Sequence, residues 1–210
     1  MRKILFIICA LFISLSAGAH SGKATYHIII DTDGAADDLR AISMLLSSRE
    51  VETLAITTSE GALTPAATAE KVTALLYHFH HEGIPVGVGR ALNIAPPPWR
   101  QQSEQISWGS PSTTQTVVED PVSGKQFRNA VELIIETIEV EKEKITFFCF
   151  GTLTNLNDVL TAKPHLKERI ERVIWYNSSA NPLRGSNYDA DRASAHSVLG
   201  SVTVEIVSGE

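Results

Sequence analysis

The sequence predicts an open α/β fold, a mostly parallel sheet with helices on both faces. Two observations carry this. Short apolar runs bounded by turn residues alternate with helical segments along most of the chain, the mark of strands joined by crossover helices. The densest cluster of carboxylates stands directly after the first such run, at the strand edge where open sheets place their ligands. The chain has 210 residues, 43% of them hydrophobic and 20% charged. That is enough for one sizeable core and leaves little room for long disorder.

The amino-terminal segment is predicted to lie outside that fold. Arg2 and Lys3 precede an apolar run from Ile4 to Leu15, and Ala17-Gly18-Ala19 follows. Basic, apolar, then small-x-small reads as a signal peptide at 1–19. The run is shorter than the roughly 20 apolar residues of a spanning helix. Cleavage after Ala19 would leave a single domain at 20–210, exported to the periplasm or secreted, with Cys149 as its one cysteine.

Tyr26 to Ile30 is an apolar run ending in Asp31, and it predicts a buried strand. Leu39 to Leu46 is helical, with Asp37 and Asp38 at its start, where acidic side chains suit the helix dipole. Val51 to Thr57 is a second strand. Pro65 to His81 is a long helix with Ala69, Val72, Leu75, Leu76 and Phe79 on one face. Ile84 to Val88 is a third strand. Asn93 to Lys125, with Pro96-Pro97-Pro98, Pro111 and Pro121, is too long for an ordinary connection and predicts a functional loop. A helix follows from Gln126 to Glu141, a strand from Ile145 to Phe150 and a helix from Leu153 to Thr161. Arg172 to Trp175 is a strand, Asn177 to Ser186 a polar loop, Asp191 to Leu199 a helix and Val202 to Val207 a last strand. Parallel strands are normally covered by a following helix, so the sequence reads as cut short at Glu210.

The formal net charge is −6 with no basic run, which argues against nucleic acid or an anionic membrane surface as a partner. His78, His80 and His81 sit at a helix end, where cations suit the dipole. Cys149 lies in an apolar strand and reads as a buried small hydrophobe. Trp99 and Trp108 lie in the long loop, where they would pack locally or stack on a ligand. Asn177-Ser178-Ser179 is a glycosylation sequon.

Asp31, Asp33, Asp37 and Asp38 fall within eight residues, between the first strand and the next helix. Crowded carboxylates repel and raise one another's pKa values, and a hard divalent cation relieves the repulsion. Helix capping and turn formation would account for one or two aspartates. Four at a strand end point to a metal.

The stretch Asp31-Thr32-Asp33-Gly34-Ala35-Ala36-Asp37-Asp38 resembles the DTDxGxDD signature of the inosine–uridine-preferring nucleoside hydrolases. Its first four residues also resemble the DxDGT signature of haloacid-dehalogenase-like phosphatases, but no convincing later acidic motif and lysine accompany them. Leu54-Ala55-Ile56-Thr57-Thr58-Ser59-Glu60-Gly61, Phe150-Gly151-Thr152-Leu153-Thr154-Asn155-Leu156 and Asn187-Tyr188-Asp189-Ala190-Asp191-Arg192-Ala193-Ser194-Ala195 are similar to later nucleoside hydrolase segments, in family order. The resemblance implies a Rossmann-like core and calcium-dependent hydrolysis of a ribonucleoside to ribose and free base. It implies Asp33 as general base and calcium ligand, and Asp38 and the backbone carbonyl of Phe150 as further calcium ligands. Asp37 and Asn187 would bind ribose, and Asp31 would support this shell. The partner implied is a small-molecule nucleoside; self-association into a homo-oligomer is left open.

Departures from the family pattern bear on turnover. Gly34-Ala35 stands where the family has Pro-Gly, so Ala35 is strained if a positive φ is required there. Ala62 replaces a sugar-binding Asn. The family's final calcium-binding Asp and its leaving-group His fall beyond the equivalent of Val207. A catalytically inactive binding protein or fragment is therefore the alternative, and the chain ending at Glu210 is expected to hydrolyse inosine and uridine poorly or not at all.

Overall fold

A computed structural model describes residues 24–105 and 126–209. The strands are β1 (Tyr26–Thr32), β2 (Val51–Thr58), β3 (Val86–Val88), β4 (Arg128–Asn129), β5 (Ile145–Cys149), β6 (Ile170–Tyr176), β7 (Ser179–Ala180), β8 (Leu183–Arg184) and β9 (Val204–Val207). Seven of them form one sheet in the order β4-β3-β2-β1-β5-β6-β9, every pair parallel. The order reverses direction at β1, which is the topological switch point. β7 and β8 form a small antiparallel hairpin inside the predicted polar loop.

β1 is central, and both its faces are covered. Ile28 and Ile30 point to one side, with α1 (Ala36–Leu46) and α2 (Pro65–His78). Ile29 points to the other, with α4 (Ala130–Val140), α5 (Thr154–Ala162) and α7 (Arg192–Leu199). Side chains alternate across a strand, so a two-sided core makes a continuous apolar run. On the second side Phe147, Val173 and Trp175 are fully buried, and Trp175 Nε1 donates to the Gly151 carbonyl at 3.0 Å.

Helix starts follow local chemistry. Thr64 Oγ1 accepts from the Ala67 N–H and Pro65 fills the first turn of α2. Asn129 Oδ1 accepts from the Val131 and Glu132 N–H groups, so α4 begins at Ala130 and not at Gln126. Asp191 Oδ1 accepts from the Ser194 N–H, which separates α6 (Ser186–Ala190) from α7. α2 ends three residues before the expected His81. His80 turns the chain at φ 58°, and the His81 N–H closes on the Leu76 carbonyl at 2.8 Å. The stretch expected as one loop from Asn93 holds a short helix, α3 (Arg100–Gln105). Trp108 and the rest of that loop up to Lys125, like the segment 1–19 expected to be a signal peptide, lie outside the described residues.

Beside α1 the sheet is open. Phe148, Phe150, Ile174, Tyr176 and Val207 line a groove with Met44, whose side chain is 75% exposed. Among the described residues no helix is long and apolar enough to cross a membrane.

Candidate active site

β1 ends at Thr32, and the next residues turn sharply into α1. Gly34 adopts φ +82°, and a Cβ there would lie 2.7 Å from Thr68 Oγ1, so the position requires glycine. Ala35 sits at φ −60°, ψ 154°. The strain expected at Ala35 is therefore absent, because the positive φ falls one residue earlier. The turn is pinned by the Thr68 hydroxyl and the Leu63 N–H, both donating to the Asp33 carbonyl at 3.0 Å.

This turn brings Asp33 against Asp38, the third residue of α1. The Asp33 N–H and the Thr32 hydroxyl both donate to Asp38 Oδ2, at 3.3 and 2.7 Å. Both carboxyls are buried and hydrogen-bonded to each other. Burial pushes Asp33 up. Burial and the neighbouring Asp33 charge push Asp38 well up. Backbone N–H groups of Ala35 and Ala62 oppose this at Asp33 by stabilising its carboxylate.

Asp31 stands behind the pair, 1% exposed. Its Oδ1 accepts from Thr57 Oγ1 at 2.6 Å and Asn155 Nδ2 at 2.8 Å. Burial nevertheless raises its pKa to about 6. Cys149 is buried and reduced, its thiol pushed well up by burial and then by Asp31, as a buried small hydrophobe requires.

Two glycines let backbone approach the cluster. A Cβ on Gly61 would lie 2.0 Å from Asp33 Oδ2, and one on Gly151 would lie 2.2 Å from Ser59 Oγ. Asp33, Gly61, Ala62 and Asn187 line a cavity of about 390 Å³, walled by the Pro96–Trp99 segment. Trp99 is 47% exposed at its edge.

The remaining expected residues are placed unevenly. Asp37 is exposed and borders the apolar groove with Asp38 and Phe150, not the cavity that Asp33 faces. Asn187 lines that cavity, but its Nδ2 donates to the Phe150 carbonyl at 2.6 Å and to the Tyr176 carbonyl at 3.1 Å. The carbonyl expected as a calcium ligand is thus already hydrogen-bonded. Among the described residues no three His, Cys, Asp or Glu side chains gather as a metal-holding set. The Asp33–Asp38 pair does fit a hard cation chemically, since two abutting buried carboxylates ionise together only with a counter-charge. Asn177, the sequon residue, is 1% exposed and its Nδ2 donates to the Ser179 and Arg184 carbonyls; burial rules it out as a glycan acceptor.

Sequence reasoning missed Asn155, Thr57 and an ion pair between Glu60 and Arg100. Asn155 and Thr57 lie inside segments that were recognised, but only the sheet register places them on Asp31. Glu60 and Arg100 are forty residues apart, with no local pattern joining them.

The chain and its fold match a known family. The inosine-uridine preferring nucleoside hydrolase family model matches residues 28–209, and the chain belongs to that family. It is 31% identical over 158 residues to the pyrimidine-specific ribonucleoside hydrolase RihA of Shewanella woodyi, covering 74% of this chain and 49% of that protein. The RihA of Escherichia coli O1:K1 / APEC is 30% identical over 153 residues, covering 70% and 46%. The chain thus spans about half the length of the curated relatives it matches. Among solved structures, a purine-preferring ribonucleoside hydrolase from Gardnerella vaginalis superposes with a TM-score of 0.73 at 19% identity, covering 87% of this chain and 60% of that one. A plant nucleoside hydrolase gives 0.70 at 24%, covering 88% and 60%. These likenesses carry the fold. None of them supports the phosphatase alternative.

Proposed function

We propose that the chain carries the catalytic carboxylates of a calcium-dependent hydrolase that splits a ribonucleoside into ribose and free base. The observation that carries this reading is the buried Asp33–Asp38 pair, with Asp33 facing a cavity at the carboxyl edge of β1. Asp33 and Asp38 would hold calcium, with the Phe150 carbonyl as a further donor. When bound, calcium would orient a water and lower its pKa.

The chain's own groups do the rest. Asp33 accepts the proton of the attacking water on its carboxylate, as general base. Breaking the N-glycosidic bond builds positive charge at the sugar, as in glycoside hydrolysis. The Asp33 carboxylate at the cavity wall stabilises that charge. Asn187, at the cavity wall, binds a ribose hydroxyl through its Oδ1, whereas Asp37 at the groove stands outside that contact, and Asp31 holds the strand end rigid through Thr57 and Asn155. The Pro96–Trp99 wall limits water on one side of the cavity. The reading also includes export: residues 1–19 are removed and the protein works outside the cytoplasm.

A second reading, binding without turnover, is favoured by two observations. Ala62 offers the cavity no polar side chain where the family has an Asn, and the Asn187 amide nitrogen is committed to two carbonyls. Incubation of the purified protein with uridine, inosine and p-nitrophenyl phosphate, each with calcium or magnesium, separates the readings. Ribose release with calcium supports hydrolysis. Saturable nucleoside binding without release supports the second reading, and phosphate release refutes both.

A further inference from the structure

Glu60 and Arg100 have no part in the reading above, yet they form an enclosed ion pair where the cavity wall meets the sheet edge. Their side chains are 5% and 15% exposed. Arg100 opens α3, directly after the Pro96–Trp99 wall. Its Nη2 donates to Glu60 Oε1 at 2.6 Å and to the Gly61 carbonyl at 2.8 Å. The anchor that it grips is well supported. The Ser59 N–H donates to the Thr32 carbonyl, the Gly61 N–H to the Leu63 carbonyl and the Leu63 N–H to the Asp33 carbonyl. The turn after β2 is thereby bound to the turn that carries Asp33. The wall has no such support of its own. Among the described residues, the backbone of 91–96 makes no hydrogen bond, and the carbonyls of Pro97 and Trp99 accept from Arg100 and Ser103 of α3. Each ring of Pro96-Pro97-Pro98 fixes φ at about −65°, so the segment follows α3. The far end of α3 is tied at the surface, where Lys71 Nζ donates to the Glu104 carbonyl at 3.2 Å.

We propose that Arg100 is a positioning residue for the cavity wall. By latching α3 to Glu60 and Gly61 it holds Pro96–Trp99 at the cavity that Asp33 and Asn187 also line, so the site is built before a ligand arrives. A wall set in advance spares the ligand the entropy of ordering a loop, and contacts with it count fully toward affinity. Glu60 supplies the counter-charge, because an enclosed charge that loses its partner is left uncompensated. The inference rests on the cavity being the nucleoside site, and it adds a specific claim: affinity there depends on an ion pair that does not itself line the cavity.

The test uses the whole protein, with calcium present and 5-fluorotryptophan in place of its three tryptophans. The ¹⁹F signals of Trp99 and Trp108 are assigned by their loss in Trp99→Phe and Trp108→Phe, which leaves Trp175. In Arg100→Gln the Trp99 signal should move toward that of free 5-fluorotryptophan, and its H2O/D2O isotope shift should rise, Trp99 being 47% exposed in the wild type. The signal of Trp175, fully buried, should stay and report that the variant is folded; if Arg100→Gln is not, Glu60→Gln takes its place. Arg100→Lys, whose single ammonium can donate to both acceptors that Nη2 serves, should restore most of the wild-type Trp99 signal. With uridine, KM should rise about 10-fold or more in Arg100→Gln and in Glu60→Gln, with a much smaller change in kcat and partial rescue by Lys. The double variant should be no worse than the worse single one, since both break one interaction. A Trp99 signal unmoved in both single variants overturns the proposal. So do KM effects that add in the double variant, or a fall in kcat at unchanged KM. A wild type that binds uridine but releases no ribose refutes the hydrolase reading; Kd by calorimetry then replaces KM. A wild type that does not bind uridine refutes the nucleoside site, and the Trp99 signal still decides whether Arg100 holds the wall.

Discussion

Asp31→Asn should stabilise the protein, and the gain should depend on pH. Asp31 is 1% exposed and its pKa is raised from 3.8 to about 6, chiefly by burial. A carboxyl whose folded pKa lies above its unfolded value contributes stability that is fully present below about pH 3.8. That contribution is lost as pH rises through about 6. At pH 7.5 the native state therefore carries a penalty of about two pKa units, or about 3 kcal/mol. At pH 4 the penalty is about 0.5 kcal/mol. Asparagine keeps an oxygen to accept from Thr57 and Asn155 and sheds the ionisation. Its amide replaces the oxygen near Cys149 Sγ, a weak contact at 4.0 Å, so about 3 kcal/mol is an upper value. Urea unfolding with a chelator present, at pH 4 and pH 7.5, measures both ends. The expected result is a gain of about 1–3 kcal/mol at pH 7.5, shifting Tm by roughly 2–4 °C per kcal/mol, and almost none at pH 4. An equal gain at both pH values, or a loss at pH 7.5, would refute the argument from burial.

Asp38→Ala should abolish calcium binding, whose affinity in the wild type should lie at the weak end, on the order of 10⁻⁴ to 10⁻³ M; calorimetry showing unchanged binding places the metal elsewhere. Asp37→Ala should keep calcium and leave ribose affinity nearly unchanged, since Asp37 borders the groove and not the cavity that Asp33 faces; titration with ribose after calcium loading checks both halves. Asn155→Ala strips donors from Asp31 Oδ1 and the Thr58 carbonyl and should cost about 1–3 kcal/mol in urea unfolding at pH 7.5. The exported protein should begin at His20 by N-terminal sequencing; a membrane-bound product still beginning at Met1 rules out cleavage.

The parallel sheet could be anticipated because β1 is buried on both faces, and such burial writes itself as an unbroken apolar run. The helix ends were less legible. Asn129 and His80 set them through a side-chain cap and a left-handed turn, and both compete with an apolar period that continues past them. The site divides in the same way. Asp31, Asp33 and Asp38 are close in sequence, so one strand–turn–helix unit suffices to bring them together. Asp37 is their neighbour too, but a helix turns 100° per residue and leaves it exposed at the groove, outside the cavity that Asp33 lines. The Asn187–Phe150 contact, the Asn155–Asp31 contact and the Arg100–Gly61 contact join segments 37, 124 and 39 residues apart. The sheet register and the packing of helices and loops on its edge decide such meetings, and no local pattern records them.

The central claim is that Asp33, paired with Asp38, is the base of a calcium-dependent nucleoside hydrolase. Ribose release from uridine and inosine, followed over hours at enzyme concentrations above substrate, tests it most directly, because even slow turnover is then visible. Wild type should release ribose only when calcium is present, and Asp33→Asn should lower the rate by about 10²–10⁴-fold while keeping the wild-type unfolding midpoint within a few degrees. Release that is indifferent to calcium, release at the wild-type rate in Asp33→Asn, or no release from the wild type would contradict it.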